Sequence, residues 1–150
     1  MSISYIETNT KGRERLRELA SRLSEVDLRL QTGDGWTVGA VLAHLAFWDY
    51  RVNGLIQRWK KSGVGLSPID ADNINDAMKP LLVAIPGGEA VKLTLEAAEA
   101  VDAEIENLPE ELKLGVEALV KEGKLRVNRS IHRNDHLDQI ERALAEAKKP

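Results

Sequence analysis

The chain contains three histidines, and two of them, His132 and His136, stand four residues apart in the stretch Arg129-Ser130-Ile131-His132-Arg133-Asn134-Asp135-His136-Leu137. Histidines four apart lie on one face of a helix, about one turn from each other, so their imidazoles can chelate one metal ion. The third, His44, lies 88 residues upstream, in the other strongly apolar helical segment. Three neutral imidazoles with one open position are a common arrangement around a catalytic zinc or a related divalent ion. Zn–N bonds of about 2.1 Å require all three rings to converge on a common point. The helix fixes the separation of the first two, and a facing helix would bring the third. A lone histidine on a helix flank is more often a surface or hydrogen-bonded residue, and an H-x-x-x-H spacing often arises by chance. Against that bland reading, all three histidines fall at the margins of apolar stripes, with none in a loop.

Other chemistries fail on their own patterns. H-E-x-x-H needs a glutamate where Arg133 stands. Without cysteine there is no disulfide, no thiolate-bound zinc and no catalytic thiol, so any thiol must arrive with a substrate. Gly63-Val64-Gly65 is a lone G-x-G with no strand before it. Ser130 and His132 are too close along a helix to face each other as nucleophile and base.

The elements that must position these histidines read as helices. Lys11 to Leu30 is expected as the first, with Leu16, Leu19, Leu23, Val26 and Leu30 spaced by three and four. Gln31 to Gly35 is a turn. The second helix runs from an N-cap at Thr37 to about Lys61, and Trp36 with Val41 forms a hydrophobic staple. Its buried stripe is Val41, Leu45, Trp48, Val52, Leu55, Ile56 and Trp59, with His44 at the edge beside Trp48. Asp70 to Ile85 is a shorter helix that Pro80 should break or kink. Glu89 to Leu108 is a further helix, and Pro109 restarts a short one over Leu112 to Lys121. The last helix begins between Lys124 and Ser130 and runs to about Lys148. It buries Leu137, Ile140 and Leu144, with His132, His136 and Arg129 on one flank. No strand is expected. The prediction is an all-α chain: a four-helix bundle with additional short helices in the long middle connection, and residues 1–150 as one domain.

With 150 residues the chain can bury a stable core. A net charge of −3 and a pI near 5.7 argue against nucleic acid as the main partner. Met1 to Asn9 lacks the apolar core of a signal peptide, and Trp36 to Trp48 is too short for a membrane span, so a cytoplasmic location is the default.

Two stretches carry a family likeness: Gly35-Trp36-Thr37-Val38-Gly39-Ala40-Val41-Leu42-Ala43-His44-Leu45, and Ile131-His132-Arg133-Asn134-Asp135-His136-Leu137-Asp138-Gln139-Ile140. A Trp and a polar cap before a helix bearing one His, followed by a late helix bearing His-x-x-x-His, resembles the DinB-like (DNA-damage-inducible) superfamily. The resemblance implies a four-helix bundle, often dimeric, with a divalent metal, commonly zinc or nickel, on His44, His132 and His136. Active members of that family include thiol transferases that use mycothiol or bacillithiol, and a mycothiol-dependent maleylpyruvate isomerase. It gives no reason to expect DNA binding.

Two functions stay open at this stage. One is a metal-dependent enzyme of thiol S-transferase or hydrolase type, acting on a small molecule, with a small thiol as possible co-substrate. There Arg129 could recognise a carboxylate on the thiol, and Asp49, Asn53, Asn73 and Asp135 are candidates to orient the imidazoles. The other is a non-catalytic, metal-stabilised interaction or stress protein. An open coordination position facing a pocket would separate them.

Overall fold

The computed structural model of the chain describes residues 3–150 and, from Tyr5 on, their side chains. It is helical throughout its frame: α1 (Ile3–Arg22), α2 (Glu25–Leu28), α3 (Val38–Ser62), α4 (Ala71–Ala84), α5 (Gly87–Glu106), α6 (Glu110–Lys121) and α7 (Ser130–Ala147). Helix α3 packs on α5, α5 on α1, α1 on α7, and α7 back on α3, which closes a four-helix bundle. The expected fold class holds, with α4 and α6 as the extra helices of the middle connection.

Two expectations about the N-terminal half need correction. The segment expected as one helix over Lys11 to Leu30 is two. Helix α1 stops at Arg22, and Ser24 caps α2: its hydroxyl accepts from the Asp27 amide at 3.1 Å, and the Asp27 carboxylate accepts from the Ser24 amide at 3.0 Å. This capping box outcompetes a continuing helix. As a result Val26, placed inward by periodicity, is 64 % exposed, while Leu28 is buried.

The turn over Gln31 to Gly35 closes a small antiparallel hairpin, β1 (Gln31–Gly33) with β2 (Trp36–Thr37). Gly33, Asp34 and Gly35 all have positive φ, which two glycines make cheap. Strands of three and two residues are too short to show an alternating pattern. In α4, Pro80 sits inside the helix without ending it.

Helix α3 starts as expected, with the Thr37 hydroxyl accepting from the Ala40 amide at 3.1 Å. Val41, Leu45, Trp48, Val52, Ile56 and Trp59 are buried along it, and Leu55 is half-buried. The core forms two clusters. One surrounds the first half of α3 with α1, α5 and α7, and includes Leu16, Leu42, Ala98 and Leu137. The other surrounds its second half with α5 and α6, and includes Ile56, Val101, Val116 and Val127.

Candidate metal centre

The site is built where the first half of α3 faces the start of α7. Arg129, at the N-cap of α7, offers it no side-chain hydrogen bond. Asn128 Oδ1 accepts from the Ser130 amide at 3.2 Å, and a further cap comes from α1. Asn9 Oδ1 accepts from the amides of Arg129 at 2.7 Å and Ser130 at 3.2 Å, while Asn9 Nδ2 donates to the Val127 carbonyl at 2.9 Å. That satisfies amides a helix start leaves orphaned. The close approach needs Gly12, since a Cβ there would meet Ser130 Cβ at 3.0 Å. This junction sets where His132, two residues on, points.

The three histidines converge. His44 Nε2 and His132 Nε2 are 3.2 Å apart, and one nitrogen of each of the three rings lies within 4.8 Å of the others. Ring centroids are 4.7 to 5.1 Å apart. Tetrahedral coordination at about 2.1 Å needs donor nitrogens about 3.4 Å apart, and the spacing of the three rings approaches that geometry. His44 is buried between Trp36 and Trp48, whose rings meet it edge-on at centroid distances of 5.6 and 6.5 Å.

The hydrogen bonds fix one ring. Gln139 Oε1 lies 2.7 Å from His136 Nδ1, and Gln139 Nε2 donates to the Thr32 hydroxyl, which donates to the Trp36 carbonyl. An amide oxygen only accepts, so this assignment puts the His136 proton on Nδ1 and leaves Nε2 with its lone pair. A buried-side partner of this kind is what ligating histidines use. The hairpin thus reaches the site through Thr32 and Trp36. His44 differs: its Nδ1 is buried with no partner among the described residues.

Burial keeps the His44 and His132 rings neutral. Burial, then the neighbouring His136, lowers the His44 pKa from 6.5 to about 4. Burial lowers that of His132 to about 2, helped by His136, His44, Arg129 and Arg126. Deprotonated imidazoles are the form that binds a metal. Three neutral nitrogen donors suit zinc or nickel among the divalent ions, so the residues fit the group the resemblance implies. All three rings line a cavity of about 840 Å³.

The residues expected to orient the imidazoles do other work. Asp49 is buried and accepts from Arg129 Nε at 2.9 Å and Arg133 Nη2 at 3.1 Å. Asn53 accepts from Gln57, Asn73 donates to Asp70, and Asp135 is exposed. The orienting role belongs to Gln139. It stands three residues after His136, a spacing at which helical side chains meet, so the signal was in the sequence. Arg129 does line the cavity, but Asp49 holds its Nε and the Arg126 carbonyl accepts from its Nη1 at 3.3 Å.

A sequence model of the DinB superfamily matches residues 9–140, a span that includes all three histidines. The chain belongs to the DinB superfamily. No curated protein and no solved structure matches it significantly. Within this DinB superfamily chain no helix among the described residues is long and apolar enough to cross a membrane.

Proposed function

We propose that His44, His132 and His136 hold one divalent ion, zinc or nickel, and that the protein is a metal-dependent enzyme acting on a small molecule by thiol transfer or hydrolysis. The observation that carries this reading is the placing of all three converged rings on the wall of a cavity large enough for a small-molecule substrate. A metal that merely tied two helices together would need no such opening, which favours the enzyme over the non-catalytic alternative. Bound there, a divalent ion supplies a charge of two that acidifies a water or a thiol.

The chain's own residues do the rest. Burial keeps His44 and His132 unprotonated. Gln139 holds His136 with a nitrogen lone pair available. Trp36 and Trp48 shield His44 on two sides. The chain has no cysteine, so in the transfer version the thiol is a co-substrate. What remains of the Arg129 guanidinium is available to an anionic group on that co-substrate.

The test is a screen of several small thiols with a generic electrophile, beside a panel of activated esters, on zinc- and nickel-loaded protein. Turnover that disappears in His132→Ala is expected. Equal rates for wild type and His132→Ala under every condition would remove the enzyme reading.

A further inference from the structure

The cavity beside the histidines is basic on one side. Arg51 on α3 and Lys124, Arg126 and Arg129 before α7 line it. Arg129 is paired with Asp49, and Lys124 with Glu122. No ion pair among the described residues involves Arg51 or Arg126. The cavity's aspartates, Asp72 and Asp76 on α4, pair with neither. Arg51 donates instead to the Ser67 carbonyl and hydroxyl, at 2.8 and 3.1 Å. Burial, and after it the charge of Arg129, lowers the Arg51 pKa. A half-buried guanidinium beside another, with no carboxylate of its own, is a place short of one negative charge.

A second cavity of about 350 Å³ adjoins the first and shares Arg51 and Lys124 with it. Its remaining walls are mainly apolar, with Leu55, Trp59 and Leu119, and Leu66 stands at its rim, 64 % exposed. Charge and apolar room therefore lie side by side, and the histidines line the same cavity as the charge.

We propose that this site takes a small amphipathic anion. Its carboxylate or phosphate lies against Arg51 and Arg126, its apolar arm enters the cavity of Trp59 and Leu119, and its reacting end faces the histidines. Only the last point rests on the enzyme reading; the binding itself requires no metal. Arg129, held by Asp49, then borders the anion rather than being its main partner.

Trp36 and Trp48 line the first cavity and Trp59 the second, so intrinsic fluorescence reports on both. The metal-free and zinc-loaded proteins are titrated with octanoate, octyl phosphate, octanol and butyrate. At least one octyl anion is expected to bind more than about tenfold tighter than octanol and than butyrate. Arg126→Ala, at an exposed position, weakens that anion about tenfold and leaves octanol unchanged. Leu66→Ser, on the exposed rim, weakens the preference for the longer chain while butyrate binds as before. Thermal melts of both variants check that they fold. Octanol binding as tightly as both anions, no dependence on chain length, or no loss of affinity in either Arg126→Ala or Arg51→Gln would overturn the proposal. Because the titration is done with and without zinc, a protein that bound the anion but no metal would lose only the enzyme reading. One that bound zinc but no anion would lose only this proposal.

Discussion

Helix α7 presents two polar clusters, one residue apart in sequence, that have been finished in opposite ways. His132 and His136 turn toward His44. Arg133 and Arg129 turn toward Asp49, and Arg133 also reaches Asp102 on α5. In the second cluster nearly everything is paired. Arg133, 1 % exposed, donates to Asp102 Oδ1 at 2.7 Å and Oδ2 at 2.9 Å and to Asp49 at 3.1 Å, and Arg13 donates to Asp102 at 2.6 Å. Only Arg133 Nε lacks a partner among the described residues of this network. In the first cluster two ring nitrogens face each other at 3.2 Å and a third is buried unpartnered. Buried charges are tolerated when paired, and unpaired buried nitrogens cost stability unless something else binds them. The comparison teaches that the ion network is the clamp joining α1, α3, α5 and α7, whereas the histidines form a neutral group of nitrogen donors that could hold a metal ion.

The most severe way to break the contrast is Arg133→Met. It leaves Asp49 with Arg129 alone and Asp102 with Arg13 alone, two buried carboxylates each short of a partner, so a loss of about 3–5 kcal/mol is expected. Urea unfolding measures it, and the melting temperature should fall by roughly 10 °C or more. His132→Ala should do the reverse. Metal affinity falls at least about a hundredfold, while the metal-free protein keeps its stability within about 1 kcal/mol. A large loss of metal-free stability would show that the histidines, too, are structural.

A finer cut is Gln139→Leu, which frees the His136 ring. Zinc affinity should fall about tenfold to a hundredfold with little change in urea midpoint. Asn9→Ala removes the cap that α1 lends to α7 and should cost about 1–2 kcal/mol, seen in the same unfolding curves.

The gentlest probe is pH. The folded pKa of His44 is about 4, against an ordinary 6.5, and that of His132 is about 2. The unfolded chain therefore takes up these protons first. Stability from keeping these two rings neutral is intact above pH 6.5 and is lost progressively as pH falls, down to about 4 for His44 and about 2 for His132. Urea midpoints of metal-free protein at pH 7, 6 and 5 should decline, and the decline should be shallower in His44→Ala. An identical pH profile for the two would show that burial of His44 does not set its protonation.

Much of the site was legible because the relevant signals are local. The i,i+4 spacing put His132 and His136 on one face, and the Thr37 cap and apolar stripe of α3 put His44 on the side facing them. What stayed hidden depends on distant partners or on competition between local structures. Arg13 meets Asp102 across 89 positions and Arg133 meets Asp49 across 84, and neither pairing leaves a periodic trace. Asn9 caps a helix 121 residues away. Arg129 sits at the helix N-cap, outside the regular helix, so a helical angle could not say which way it points. At Ser24 the apolar periodicity ran on while the capping box ended the helix.

The central claim is tested most directly by titrating metal-free protein, produced without a nickel column, with zinc against a competing chelator. One ion per chain is predicted for the wild type, with binding lost in His44→Ala as completely as in His132→Ala and His136→Ala. No binding, or zinc binding that survives the removal of His44, would contradict it.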